Sequence, residues 1–118
     1  MAIPREVRIK RVYEEPSADD GFRVLVDRLW PRGVAKVDAH VDEWLKNVGP
    51  SNELRHWFGH EPAKFARFAA RYREELVGSD AFAQLRRLAE AHPVLTLVYG
   101  AKDTEHNQAV VLQGLLNG

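Results

Sequence analysis

The sequence contains no cysteine, which excludes disulfide bonds, thiolate metal ligands and cysteine nucleophiles. It has no excess charge of either sign, because 17 lysines and arginines balance 17 aspartates and glutamates. Such a chain is not drawn as a whole onto nucleic acid or an anionic membrane, although a local basic patch can still exist. No apolar run is long enough to span a membrane, and the N-terminus lacks the apolar stretch of a signal peptide. We therefore expect a cytoplasmic protein without a membrane partner.

Several motifs of catalytic and cofactor sites are also missing. The glycines form neither a G-x-G-x-x-G nor a Walker pattern, and no G-x-S-x-G frame surrounds a serine. The five histidines follow no H-E-x-x-H pattern, and Gly59 interrupts the spacing of His56 and His60. These absences lead us to expect no metal site and no cofactor.

What the chain does contain is the apolar patterning of one globular domain, over residues 1–118. Apolar runs bounded by turn residues predict strands over residues 7–13, 22–29 and 94–99. Between and after them the apolar spacing is helical, and the expected helices begin at Asp38, Ser51, Pro62, Ser79, and Asp103 or Thr104. Strands interleaved with helices predict an α/β fold with a small, largely parallel sheet of three or four strands flanked by helices.

Two of the apolar runs end in a burst of charge, in FRVLVDRLWPRG and in VLTLVYGAKDTEHN. Open α/β sheets bind ligands beyond the carboxyl ends of their strands, so we expect the two ends to be neighbours that form one polar crevice. At the first end, Arg28, Arg32 or Lys36 would contact a phosphate or carboxylate. The alternative is an internal ion pair between Asp27 and one of these arginines, and the sequence leaves both open.

The second end has the order strand, Gly100, Lys102, helix start, which favours anion binding by free backbone N–H groups. The alternative is that Asp103 occupies that helix start as a cap. His106 falls in the expected first turn, where the helix dipole favours neutral imidazole, so Asp103 and His106 are the candidate acid–base residues. Asn107 follows them.

Three longer segments of the sequence resemble those of a known protein family. The segments RVLVDRLWPRGVAK, WLKNVGPSNELRHWFGHEPAKFARFAARYREEL and LTLVYGAKDTEHNQAVVL resemble the YeaO-like family of bacterial proteins, a family of unknown function. The similarity extends over almost the whole chain, and D-R-L-W-P-R-G is its most specific string. It implies a compact cytoplasmic α/β domain and brings no catalytic residue or cofactor. The shared strings include both strand ends together with Lys46, Arg55 and His60.

These observations favour recognition of a small anionic ligand, such as a phosphate-bearing metabolite or nucleotide, with or without acid–base chemistry. The candidate ligand-binding residues are Asp27, Arg28, Arg32, Lys36, Lys46, Arg55, Lys102 and Asn107. Two other classes stay open: a nucleic-acid-binding or nuclease-like module, for which KFARFAARYR supplies aromatic and basic residues, and a non-catalytic interaction module whose charges are ion pairs. The helical spacing of those aromatics favours a core-facing stripe instead.

Overall fold

The computed structural model describes residues 6–117 and contains a four-stranded sheet in which every pairing is parallel. The strands are β1 (Glu6–Arg11), β2 (Phe22–Leu25), β3 (Glu43–Trp44) and β4 (Val94–Tyr99), in the order β1-β4-β2-β3. The helices are α1 (Lys36–Ala39), α2 (Asn52–Phe58), α3 (Phe65–Leu76), α4 (Asp80–Ala91) and α5 (Gln108–Asn117). Short 3-10 turns lie at Ala18–Asp20, Lys46–Val48 and Pro62–Lys64. The predicted α/β class with a parallel sheet is confirmed.

The sheet is buried on both faces, which explains the continuous apolar runs of β2 and β4. Successive side chains of a strand point to opposite faces, so Val24 enters the larger core and Leu25 the smaller one. The larger core receives side chains from α2, α3, α4 and α5. The smaller core is closed by α1 and by the partly buried rings of Trp30 and Trp44. Among residues 6–117, no helix is long and apolar enough to cross a membrane.

The predicted capping residues of the central helices are confirmed. Ser51 Oγ accepts the Leu54 N–H of α2, and Ser79 Oγ accepts the Phe82 N–H of α4. On α3, Phe68 and Tyr72 are fully buried, as a core-facing stripe requires. These aromatic side chains therefore belong to the core rather than to a stacking surface.

The predicted helix from Asp38 through residue 48 is wrong. Helix α1 spans only Lys36–Ala39, because His40 adopts a left-handed backbone with φ of 49°. Trp44 then pairs with Leu25 as part of β3, and its indole N–H donates to the carbonyl of Asp27 at 2.7 Å. Strand β2 is also shorter than predicted and ends at Leu25.

The last helix begins later than predicted, at Gln108 rather than at Asp103 or Thr104. The Asn107 side-chain oxygen accepts the Val110 N–H, as an N-cap does, at 3.1 Å. Asp103 Oδ1 instead accepts the N–H groups of Glu105 and His106 in a separate turn before the helix. The chain from β4 to α5 is consequently a loop of eight residues, 100–107.

A buried ionic cluster lies at the amino end of β2. Arg23 and Asp20 are both 4% exposed and form a salt bridge, and Lys10 Nζ lies 3.1 Å from Asp20 Oδ1. Burial by itself raises the pKa of Asp20, but hydrogen bonds from the Ser17 N–H, Lys10 and Arg23 outweigh it and lower that pKa below its usual value. Arg23 also donates to the carbonyls of Ala39 and His40, which ties α1 to the sheet.

Strand β1 forms one edge of the sheet, and two side chains cover part of it. Glu6 and Val12 donate their N–H groups to the β4 side, so the odd-numbered residues present their polar groups to the open edge. On that edge, the Val7 carbonyl accepts Gln113 Nε2 at 2.9 Å, and the Arg11 N–H donates to Glu14 Oε2 at 2.9 Å.

Candidate functional site

A cavity of about 450 Å³ lies at the carboxyl ends of β2 and β4. The expectation that these two ends are neighbours is confirmed, because β2 pairs with β4 and the segments after them touch. The polar lining consists of Asp27, Arg28, Arg32, Arg55, His56, His60, Asn107 and Gln108. The apolar and aromatic lining includes Tyr13, Leu29, Trp30, Pro31, Phe58 and Phe68. The lining therefore combines arginine and other polar side chains with apolar and aromatic ones.

Asp27 lies where the chain leaves β2, and it binds the segment that follows β4. Its Oδ2 accepts the Gly100 N–H at 2.9 Å, and its Oδ1 accepts the Gln108 side-chain amide. A Cβ on Gly100 would lie 2.8 Å from Asp27 Oδ2, closer than van der Waals contact allows. Glycine at position 100 therefore lets the carboxylate approach the backbone, and a larger residue would force the Asp27 side chain to shift.

Burial raises the pKa of Asp27 from 3.8 to about 6. Hydrogen bonds from Gly100 and Gln108, and the positive charge of Arg55, each act in the opposite direction but do not cancel the desolvation. The carboxyl group therefore changes its charge just below neutral pH, inside a cavity that three arginines also line.

Arg28 lines the cavity but directs two of its nitrogens to the backbone. Its Nε donates to the Pro50 carbonyl at 2.7 Å and its Nη2 to the Gly49 carbonyl at 2.8 Å. The hydroxyl of Tyr72 donates to the preceding carbonyl, Val48. Three successive carbonyls are thus bound by side chains, which fixes the segment before α2. Within residues 6–117, no ion pair joins Asp27 to Arg28 or Arg32, so the predicted internal ion pair is not observed.

Helix α2 and the turn after it supply one arginine and two histidines to the lining. Arg55 Nη1 donates to Asn52 Oδ1 at 2.7 Å, and the neighbouring His56 is exposed toward the cavity mouth. The helix ends at Gly59 with φ of 55°, and His60 keeps a left-handed backbone with φ of 57°. Two successive left-handed residues turn the chain back, which keeps both histidines on the cavity lining. Arg32, on the opposite loop, is exposed.

Lys36, Lys46 and Lys102 do not line this cavity. Lys36 lies on α1 and Lys102 in the loop after β4, and both are exposed. Lys46 Nζ lies 5.8 Å from the centre of the Trp44 ring and lines a different cavity, beside α4. The helix start expected just after Lys102 is absent, because α5 begins at Gln108, and the Gly100 N–H donates to Asp27. Anion binding by Lys102 and the N–H groups after Gly100 stays a prediction without that helix terminus.

Asp103 and His106 form a pair outside the cavity lining. His106 Nδ1 lies 2.9 Å from Asp103 Oδ2, and the imidazole packs edge-on against Phe65 at 5.2 Å. Hydrogen bonds led by the Glu105 N–H lower the pKa of Asp103. Asn107, by contrast, lines the cavity but is 1% exposed, and both its side-chain atoms are engaged, with the Asp103 carbonyl and the Val110 N–H. An acid–base role for Asp103 and His106 stays a prediction.

Two polar residues of the cavity lining, His56 and Gln108, were not predicted from the sequence as ligand-binding residues. His56 was considered only as a metal ligand, and Gln108 has no charge to attract attention. The signal for His56 was its position one residue after Arg55 on a helix. Among the described residues, no group of three or more histidines, aspartates or glutamates is arranged to hold a metal ion.

Comparison with known proteins yields one family and several relatives. The profile of DUF488-N3i, described as the inactive DUF488-N3 subclade, matches residues 6–118. An uncharacterized protein of Mycobacterium tuberculosis H37Rv, Rv3073c, is 50% identical over 118 residues, which cover 100% of this chain and 99% of the relative. The uncharacterized protein YeaO of Escherichia coli K12 is 45% identical over 107 residues, 90% of this chain and 92% of the relative. No solved structure matches the chain.

Proposed function

The chain belongs to the DUF488-N3i family, the inactive DUF488-N3 subclade, and we propose that it binds a small anionic ligand in the cavity at the carboxyl ends of β2 and β4. One observation carries this proposal. Three arginines and two histidines line the cavity, whereas Asp27 is the one carboxylate among its described lining residues. The description of the subclade as inactive favours binding without catalysis.

The hydrogen bonds decide which cations are best suited to meet the anion. Arg28 already holds the carbonyls of Gly49 and Pro50, so its main task is to position α2. Arg55 makes one side-chain hydrogen bond, to Asn52 within its own helix, and Arg32 is exposed at the mouth. A guanidinium group has five N–H donors in a planar fork that suits carboxylate and phosphate. Arg55 and Arg32 are therefore the proposed anion ligands.

The neighbouring histidines complete the proposed anion site. His56 and His60 lie on the same lining as Arg55 and can supply ring N–H donors. Asp27 does not neutralise these groups by a direct ion pair within residues 6–117, because its two oxygens accept neutral donors. The cavity therefore keeps positive charge available to a ligand, in a partly desolvated place where that charge acts strongly.

The test compares inorganic phosphate with chloride at matched ionic strength, by thermal melts and calorimetric titration. Phosphate is expected to raise the Tm of the wild-type chain, because a ligand that binds the native state stabilises it. In Arg55→Gln the phosphate affinity should fall by about tenfold or more, the usual effect of losing a charged hydrogen-bond partner.

The matched control is Arg67→Gln, which removes an exposed arginine of α3 that does not line the cavity. This variant should keep the phosphate response, and its melts also correct for the general stabilisation that excluded salts give. A phosphate response that is equal in Arg55→Gln and Arg67→Gln would contradict the proposed site.

A further inference from the structure

Resting on the proposed anion site, we infer that Asp27 makes the cavity selective for anions that carry an N–H donor on a planar ring, the chemistry of a nucleoside monophosphate with an exocyclic amine. The juxtaposition that supports this is a partly buried acceptor, aromatic rings and arginines around one cavity. Each of the three is fixed by contacts within the fold.

The acceptor is the Asp27 carboxylate. An ionised carboxylate has about four acceptor positions, and here two donors occupy one position on each oxygen. Both donors are neutral, the Gly100 N–H and the Gln108 amide. The cavity arginines do not reach it within residues 6–117, because Arg28 is held by backbone carbonyls and Arg55 by Asn52. A partly buried carboxylate with remaining acceptor positions gains from an N–H donor on the ligand.

Two accessible rings on the cavity lining are preorganised. The Trp30 indole N–H donates to the Val34 carbonyl at 2.7 Å, and its ring meets Trp44 edge-on at 5.3 Å. The exposed Tyr13 donates its hydroxyl to the Arg32 carbonyl at 2.9 Å. Rings fixed in this way offer surface to a planar ligand at little entropic cost, whereas Phe58 and Phe68 are buried in the core. The volume of about 450 Å³ is within the range of small-molecule sites.

The proposed anion ligands and the acceptor come from different parts of the fold. Arg55, His56 and His60 belong to α2 and the turn after it, whereas Asp27 and Gln108 belong to the strand end and α5. A ligand that uses both must carry its anionic group and its donor at separate positions. Inorganic phosphate and sugar phosphates carry the anionic group but lack an N–H donor on a ring. They should therefore bind more weakly than an amine-bearing nucleotide.

The experiment measures Kd for two matched pairs by isothermal titration calorimetry. AMP is compared with purine riboside 5′-monophosphate, and GMP with IMP, so that each pair differs by one exocyclic amine. In the wild-type chain, the amine-bearing nucleotide of at least one pair should bind about tenfold more tightly, as one charge-assisted hydrogen bond provides. Ribose 5-phosphate and inorganic phosphate are the ring-free references.

The variant Asp27→Asn replaces the carboxylate with a group of the same shape that offers fewer acceptors. It should abolish the preference for the amine, and it should strengthen inorganic phosphate binding because a negative charge is removed. Arg67→Gln should bind every ligand with the same Kd as the wild-type chain, since Arg67 lies outside the cavity lining.

A pH series tests the same idea without a substitution. Protonation of Asp27 should reduce the preference from about tenfold at about pH 7.5 to about two- to threefold at about pH 5. The other titratable or charged groups on the cavity lining are Tyr13, Arg28, Arg32, Arg55, His56 and His60. They and the ligand phosphate act on both members of a pair, so their effects largely cancel in the ratio of the two dissociation constants.

The outcomes separate this inference from the proposed function. If phosphate binding depends on Arg55 but neither pair shows a preference, the inference about Asp27 is overturned and the anion site stands. If the preference survives in Asp27→Asn, or does not change with pH, its assignment to Asp27 is overturned. If phosphate and all nucleotides fail to bind the wild-type chain, both proposals are overturned.

Discussion

Next to the two ends of β2 lie two aspartates, the buried Asp20 and the partly buried Asp27, and their hydrogen-bond partners differ in charge. At the amino end, Asp20 is paired with Lys10 and Arg23, and these bonds lower its pKa. At the carboxyl end, Asp27 receives neutral donors, and burial raises its pKa to about 6. Three arginines line the cavity around Asp27, so the missing pairing is not due to a shortage of cations.

The difference shows how one fold can pair some charges within the protein and leave others able to interact with a ligand. The Asp20 cluster connects α1, β1 and β2, and its charges are satisfied within the protein. In the cavity, Arg28 is directed to carbonyls, and within residues 6–117 Asp27 forms no ion pair, although the charge of Arg55 acts on it from a distance. Perturbed pKa values such as that of Asp27 cluster at functional sites, which agrees with the proposed anion site.

The largest effect is expected at the amino end. Asp20→Ala leaves the buried Arg23 guanidinium without its carboxylate and should cost about 3–5 kcal/mol of unfolding free energy, measured by urea denaturation. The double variant Asp20→Ala/Arg23→Met should recover part of the loss, because no unpaired charge remains. A loss below about 1 kcal/mol in Asp20→Ala would show that the cluster is not structural.

The second-largest effect is the pH dependence that Asp27 gives to the free energy of unfolding. Because folding raises the pKa of Asp27 from 3.8 to about 6, its carboxyl group favours folding below about pH 4, and this contribution is lost as the pH rises through 6. The side-chain amide introduced by Asp27→Asn cannot titrate, so this variant should gain about 2–3 kcal/mol relative to wild type between about pH 4 and about pH 7.5. The measurement is urea denaturation of both chains at the two pH values.

Asp20 should show the opposite sign, because its pKa is lowered in the fold. Its contribution is present above the unfolded pKa and is lost as the pH falls through the folded one. The stability difference between wild type and Asp20→Ala should therefore shrink in acid. A stability difference between wild type and Asp27→Asn that stays constant with pH would remove the contrast between the two ends.

The smallest expected effect tests the close approach at Gly100. Gly100→Ala puts a methyl group 2.8 Å from Asp27 Oδ2 and should cost about 1–3 kcal/mol, the usual range for overpacking. The control Gly114→Ala lies in α5 with no atom within 4 Å of the new methyl group, and it should gain about 0.5–1 kcal/mol. Thermal melts that shift both variants in the same direction would contradict the crowding at Asp27.

Structural features that depend on neighbouring residues in the chain could be predicted from the sequence. The strand over residues 94–99 matches β4, and Ser51 and Ser79 cap the helices that were expected after them. The contact between the two charged strand ends followed from a general property of parallel sheets. These features depend on residues a few positions apart, whose spacing the sequence displays directly.

The remaining features depend on partners that are distant in the chain. Asp27 and Gln108 are 81 positions apart, and no local pattern pairs them. Likewise, no sequence pattern near Arg28 predicts that its side chain donates hydrogen bonds to the carbonyls of Gly49 and Pro50. The spacing of residues 41–48 suits a helix, but Trp44 gains more from closing the smaller core beside Leu25. Tertiary contacts overrode the local preference there.

The covered edge of β1 has a consequence for how molecules of this protein meet one another. An exposed strand edge offers free N–H and carbonyl groups to a strand of another chain, which is a common route to aggregation. Here Gln113 and Glu14 already occupy the Val7 carbonyl and the Arg11 N–H. The opposite edge, β3, is two residues long and gives an incoming strand little to pair with. Both edges therefore offer an incoming strand fewer free groups than a long, fully open edge would, which disfavours growth of the sheet from one molecule into the next.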